Sequence, residues 1–204
     1  MTARPASKRS VATQRRRARV VTAVLDLHRR GGTEAVTLAR VRKATGVSTG
    51  SIYHQFGDRD GLLDAAFESL AQEYRAFVSA RVARDGRSAS RYVRALVAAH
   101  LEWVFEHPDE ARAMFRTRRA LSPERAVEVR RSTGAFVGEL LRGLHAVAKP
   151  REIVPMTSAI AAAVVLGPAH ELARQWLAGR LPELDRARAV ATLADAAWRS
   201  VARR

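Results

Sequence analysis

Apolar residues recur three and four positions apart along almost the whole chain, and no segment sustains the two-residue alternation of a half-buried strand. That one pattern restricts the chain to helices. Val20, Val21, Val24, Leu25 and His28 share a helical face that Gly31-Gly32 closes. Short helices are expected at roughly 38–45 and 48–55, with Gly46 between them. A longer helix follows Gly57-Asp58, carrying Leu63, Ala66, Phe67, Leu70, Tyr74, Phe77 and Val78. The next carries Tyr92, Val93, Leu96, Val97, His100, Leu101, Val104 and Phe105. The sequence HPDE at 107–110 restarts a helix, with proline in the first turn and acids that suit the positive helix end. Ser122-Pro123-Glu124 opens another, whose stripe is Phe136, Val137, Leu140, Leu141 and Leu144. After Lys149-Pro150 an alanine-rich segment reaches Trp176 and Leu177, and a last helix carries Ala187, Val190, Ala191, Ala194, Ala197, Trp198 and Val201. About nine helices fit, so the fold class is all-α.

Charge divides this helical chain unequally. Residues 1–60 carry a net charge of +9 and the other 144 carry +7, so charge density is about three times higher in the N-terminal part. Basic composition alone reflects arginine bias as readily as function. Its concentration at one end points to a polyanion, whose condensed counterions are released when phosphates are neutralised. Residues 1–12 read as a flexible basic arm. Arg4, Lys8, Arg9 and Arg15 to Arg17 suit either a minor groove or a solvated tail.

Several functions are excluded or unsupported. The 204 residues hold no cysteine, which removes disulfides and thiolate chemistry. The most apolar stretch, Ile153 to Ala169, is short and contains Pro155 and Pro168, so no membrane span is expected. No apolar signal region follows the basic N-terminus, and a cytoplasmic, nucleoid-associated protein is expected. There is no G-x-S-x-G, P-loop or dinucleotide fingerprint, so an enzyme is not expected and no cofactor is implied. His100 and His107, with Glu102 and Glu106 between, lack a third metal ligand and are interrupted by Pro108.

The segment VTLARVRKATGVSTGSIYHQFGDRDGLL, residues 36–63, carries the function. Thr37 can cap a short helix with Leu38, Val41 and Ala44 inside. Gly46 tolerates the left-handed backbone of a sharp turn, Val47 fills the space beneath it, and Ser48 caps a second short helix with Ile52 and Phe56 inside. Two short helices joined by a glycine turn, braced by a preceding helix, make a compact DNA-reading unit. The outer face would hold Thr49, Gly50, Ser51, Tyr53, His54 and Gln55, which are small or polar enough for close approach to a groove. Gly50 lets backbone near a phosphate, the Tyr53 hydroxyl suits a phosphate oxygen, and His54 or Gln55 can reach base edges. Arg59 is placed to clamp a flanking phosphate.

These residues resemble the DNA-binding domain of the tetracycline-repressor (TetR) family. Gly32, Val36-Thr37, Gly46-Val47-Ser48-Thr49-Gly50-Ser51-Ile52-Tyr53, Phe56, Arg59 and Leu62-Leu63 agree in one register within residues 16–67. Three positions depart from the family pattern. Arg42 stands at an alanine site and is read as an added phosphate contact or a shift of its helix. Thr45 stands where alanine is common, and Arg59 replaces a lysine.

The resemblance implies a domain order: arm 1–12, helix-turn-helix 13–60, and a helical effector-binding and dimerisation domain 61–204. It implies a homodimer on double-stranded operator DNA, acting as a repressor released by a small apolar effector. The alternative is a regulator without small-molecule response, working through a protein partner or as an architectural DNA binder. Candidate effector contacts are Phe67, Tyr74, His100, Trp103, Met114, Phe115, Phe136 and His170. Candidate dimer contacts are Ala173, Trp176, Val190, Ala194 and Trp198, with ordinary intrachain packing as the competing role.

Overall fold

The computed structural model describes residues 8–119 and 123–203. They form nine α-helices: α1 (Lys8–Gly31), α2 (Leu38–Thr45), α3 (Thr49–Phe56), α4 (Arg59–Asp85), α5 (Ala89–Glu106), α6 (Pro108–Arg119), α7 (Pro123–Val147), α8 (Ser158–Leu177) and α9 (Arg186–Val201). A 3-10 turn at Thr33–Ala35 links α1 to α2. Among the described residues the only β pairing is a single antiparallel bridge between Ile153 and Ala202. The all-α class expected from the periodicity holds, and the restarts at Pro108 and Pro123 fall where the sequence places them. The expected arm differs. Its residues 8–12 belong to α1, and residues 1–7, with Arg4, lie outside the described residues.

Two compact units make up the chain. One comprises Met1–Ala71 with Ala113–Ser122, and the other Gln72–Arg112 with Pro123–Arg204. The division falls within α4 and α6.

The N-terminal unit is built on Val20, Val21 and Val24 of α1, Val36, Val41 and Val47, Ile52 and Phe56 of α3, and Leu62, Leu63 and Leu70 of α4. These side chains are almost wholly removed from water, which is worth about 1.5–3 kcal/mol each. The C-terminal unit is organised round α5. Tyr92, Val93, Leu96, Val97, Leu101, Trp103 and Val104 are all buried on it, so α5 is apolar on most sides, as a central helix must be. Helices α8 and α9 pack against it and against each other. The Arg94 guanidinium donates to Asp195 at 2.6 Å and ties α5 to α9.

One side chain fastens the helices of the N-terminal unit. Arg59, the first residue of α4, donates from Nε to the Val36 carbonyl (2.8 Å) and from a terminal nitrogen to the Thr33 carbonyl (2.6 Å). It thereby satisfies two carbonyls at the turn that precedes α2, and Glu34 lies 3.5 Å away. A charged donor bonded to a carbonyl is worth about 1.5–3 kcal/mol when its loss strands the acceptor. Arg59→Gln is therefore expected to destabilise the chain by about 1–3 kcal/mol, and Arg59→Lys, which lacks the fork, to recover only part of that. Denaturant unfolding of both variants measures this, and an unchanged midpoint for Arg59→Gln would remove the fastening role.

Candidate nucleic-acid interface

The turn between α2 and α3 is specified atom by atom. Thr37 caps α2 by accepting from the Arg40 N–H (3.3 Å). Gly46 ends it at φ 69° and ψ 3°, a left-handed conformation costly to any residue with a Cβ, and its N–H returns to the Arg42 carbonyl. The Thr45 hydroxyl, buried under the turn, donates to the Val41 carbonyl (2.8 Å) and accepts from the Val47 N–H (3.2 Å). Thr45 is thus a working part of the turn, whereas the sequence marks it only as a departure. The inner face of α2 is Leu38, Val41 and Thr45, while Ala44, expected inside, is exposed. The reason is angular: 38, 41 and 45 keep one stripe and 44 lies off it. Ser48 then caps α3 by accepting from the Ser51 N–H (3.3 Å).

Helix α3 buries Ile52 and Phe56 and leaves its other side open. Thr49, Gly50, Tyr53 and His54 are exposed, Tyr53 at 51%, and Ser51 is half-buried. Gln55 is half-buried too, with its amide oxygen turned out of water. Gly50 has no internal reason to be glycine: a Cβ there would meet nothing within 4 Å, and its backbone is helical. Gly61 is the opposite case, since a Cβ would fall 1.8 Å from the Phe56 carbonyl oxygen and close off the α3–α4 turn. Arg42 lies exposed in the last turn of α2, where a cation suits the negative helix end, and has no ion pair among the described residues. Arg59, expected as a phosphate clamp, donates to the Val36 and Thr33 carbonyls and keeps part of its side chain exposed.

The effector candidates separate between the units. Phe67, Met114 and Phe115 belong to the N-terminal unit, where Met114 packs on the core and Phe67 is buried. Tyr74, His100, Trp103, Phe136 and His170 belong to the C-terminal unit. There the Tyr74 hydroxyl meets His100 Nδ1 at 3.0 Å, and the His100 and His170 rings lie 4.2 Å apart. Trp103 packs edge-on against Tyr74, and His170 Nδ1 donates to the Leu166 carbonyl. Phe136 lies under the Arg75 guanidinium. His100 Nε2 is buried with no hydrogen-bond partner among the described residues.

A separate cavity of about 50 Å³ opens between α5, α7 and α8. Leu96, Leu140, Leu144, Ile153, Met156 and Val165 line it, and none of the eight candidates does. Its rim segment is held to the end of α9 by Val154 N–H to Val201 (2.9 Å) and Arg203 N–H to Glu152 (2.8 Å).

Of the dimer candidates, Ala173 and Ala194 are buried within the chain. Trp176 stacks against Phe105 and the Arg186 guanidinium, and Val190 and Trp198 are half-buried. The open surface of α8 and α9 is a groove lined by Pro168, Glu171, Leu172, Ala189, Thr192 and Leu193. Among the described residues no group of three or more metal-ligating side chains occurs, and no helix is long and apolar enough to cross a membrane.

Burial, and then the neighbouring His170, push the His100 imidazole well below the ordinary value of 6.5. The native state therefore binds fewer protons than the unfolded chain, and its stability rises with pH. The contribution is complete above about 6.5 and is lost as pH falls below it. Denaturant midpoints between pH 7.5 and 5 should fall, and fall less in His100→Gln; an equal fall in both would show that other groups control it.

Comparison with known proteins agrees with this architecture. Residues 20–66 match the family described as bacterial regulatory proteins, tetR family, and residues 86–194 match the tetracyclin repressor-like C-terminal domain. The HTH-type transcriptional regulator BetI of Burkholderia mallei (strain NCTC 10229) is 34% identical over 87 residues, 43% of this chain and 45% of that protein. The alignment thus spans less than half the length of this curated relative. A TetR family transcription regulator from Marinobacter aquaeolei VT8 superposes with a TM-score of 0.70 at 18% identity, covering 97% of this chain and all of the other. A Rhodococcus sp. RHA1 protein of unknown function superposes with a TM-score of 0.75 at 21% identity, covering 92% and 95%. Both likenesses concern the fold. The two family matches span most of the chain, one of them more than half of it, and the chain belongs to the tetR family of bacterial regulatory proteins, which are regulators and not enzymes.

Proposed function

We propose that this regulator is a homodimeric repressor that lays α3 in the major groove of a palindromic operator. The DNA-binding part is 13–60, and 61–204 serves dimerisation and effector response. The observation that carries the reading is Gly50. Gly50 is the second residue of α3, where alanine would serve the helix at least as well, and nothing among the described residues needs a glycine there. A missing side chain on the exposed side of a short helix suits backbone approach to a phosphate. Around it Thr49 and Tyr53 can reach phosphate oxygens and His54 base edges, while Gln55 must first turn its amide outward. Arg42 and Lys43, exposed and without ion pairs among the described residues, are cations beside this face. Two-fold symmetry sets the two α3 helices about 34–36 Å apart, or a multiple of that, on the duplex.

The exposed groove of α8 and α9 is the surface proposed to pair two copies, with Leu172 and Leu193 as its apolar part. Trp176, Val190 and Trp198 flank it, and Ala173 and Ala194 support it from within. The effector is proposed to enter the aliphatic cavity of α5, α7 and α8, with His100, His170 and Tyr74 as a second, polar candidate anchor. Repression in the cytoplasm, at the nucleoid, goes with this reading.

The cavity also favours the alternative of a protein partner. About 50 Å³ is well short of the ~150 Å³ that admits benzene, so a small molecule must first widen it. A thermal-shift screen with small apolar compounds decides between them, since a partner-controlled regulator gains no stability from any.

The operator reading is tested by genomic selection and footprinting with the purified chain. The expected result is a protected two-fold repeat, and protection without symmetry or preference would sink it. Gly50→Ala, a change in the first turn of α3, is expected to leave stability unchanged or raise it by up to about 0.5 kcal/mol while weakening operator binding. Undiminished binding by the folded variant would show that α3 does not approach DNA at that point.

A further inference from the structure

The first half of α1 adds little to the core. The helix starts at Lys8; from residue 11 onward its first fully buried residue is Val20, and residues 12–19 are all exposed. From Lys8 to Leu25 there is no acidic residue and there are six basic ones, Lys8, Arg9, Arg15, Arg16, Arg17 and Arg19. Arg15, Arg16 and Arg19 lie in the third and fourth turns of α1, and no burial accounts for their placement there.

The arginines divide by helical angle. At about 100° per residue, Arg17 continues the stripe of Val21 and Val24, whereas Arg15, Arg16 and Arg19 fall within about 100° of one another on the far side. The structure agrees for Arg17, whose guanidinium lies over the Phe56 ring at 5.0 Å. Phe56 is the last residue of α3, so this stacking pins the later part of the basic segment beside the end of the proposed reading helix. Arg15, Arg16 and Arg19 have no acidic partner among the described residues and remain exposed to solvent.

We infer that the first half of α1 is a second DNA-contacting surface, on which Arg15, Arg16 and Arg19 hold the phosphate backbone flanking the segment read by α3. The inference rests on the DNA-binding reading above and extends the contact surface beyond the helix-turn-helix. The three guanidiniums span about 6 Å along the helix axis, and duplex DNA carries one charge per ~1.7 Å, so several phosphates lie within reach of the stripe. Because the residues meet phosphates and not base edges, they set affinity and orientation and leave sequence preference to α3.

The test is the salt dependence of binding. The full chain and an Arg15→Gln/Arg16→Gln/Arg19→Gln variant are titrated by fluorescence anisotropy against a selected operator and an unrelated duplex, at several salt concentrations. The slope of log affinity against log salt is expected to fall by about one per arginine per bound protomer, with the ratio of the two affinities unchanged. Lysine at the same three positions should restore the slope, and thermal melting checks that the variants fold. An unchanged slope overturns the inference, and so does a changed affinity ratio, which would mean base reading. A wild-type chain that binds both duplexes equally, with the slope still reduced in the variant, would overturn the operator reading and leave the α1 surface standing. A wild-type chain that binds neither duplex overturns both.

Discussion

An eight-residue helix does not hold itself together in water, because nucleation uses up most of what so few hydrogen bonds return. Helix α3 is such a helix, and the N-terminal unit is arranged to hold it. Ile52 and Phe56 sink into the core made by α1, α2 and α4, so packing supplies what propensity cannot. Capping by Ser48 and the turn at Gly46 fix where it starts, and Gly61 fixes how closely α4 can follow. Every one of these constraints acts on the inner side or the ends. The outer side is left free of structural duty, which is the condition for a reading surface.

The same separation explains what was legible in the sequence. The scaffold of the helix-turn-helix was readable because each scaffold residue has a local physical signature: a left-handed glycine, a capping hydroxyl, an apolar stripe. Helix positions were readable from period and punctuation for the same reason. What stayed hidden depended on tertiary partners. Arg59 reads as a cation near a DNA-binding helix, and only the fold shows carbonyls of Thr33 and Val36 within its reach. Thr45 reads as a mild substitution until the turn brings Val41 and Val47 to its hydroxyl. The extension of α1 back to Lys8 was hidden because a basic stretch whose only large apolar residue is Val11 shows no period.

The C-terminal unit shows the converse limit. Aromatic residues and histidines attract attention in a sequence, and several do gather, with the half-buried Tyr74 and His170 packed on the buried His100 and Trp103. The cavity, however, is lined largely by leucine, valine and isoleucine that no sequence pattern separates from ordinary core. An aliphatic cavity is an absence of packing among residues chosen to pack, so it has no residue signature. The dimer candidates behave alike. Small alanines at 173 and 194 permit close helix approach, but α5 within the same chain already takes up α9.

Arginine is where composition and function are hardest to separate in this chain, and the structure separates them by role. Arg59 and Arg94 are committed to named acceptors and hold the fold, and Arg17 is committed to an aromatic face. Other arginines pair with acidic neighbours on their own helix, as Arg29 with Asp26 and Arg174 with Glu171 illustrate. Arg15, Arg16 and Arg19 have no such neighbour among the described residues, and they share one side of α1. Background bias raises the number of arginines; it gives no reason for three of them to align away from the core beside the end of α3. Their placement, more than the chain's net charge of +16, is the electrostatic argument that this regulator meets a polyanion at its N-terminal unit.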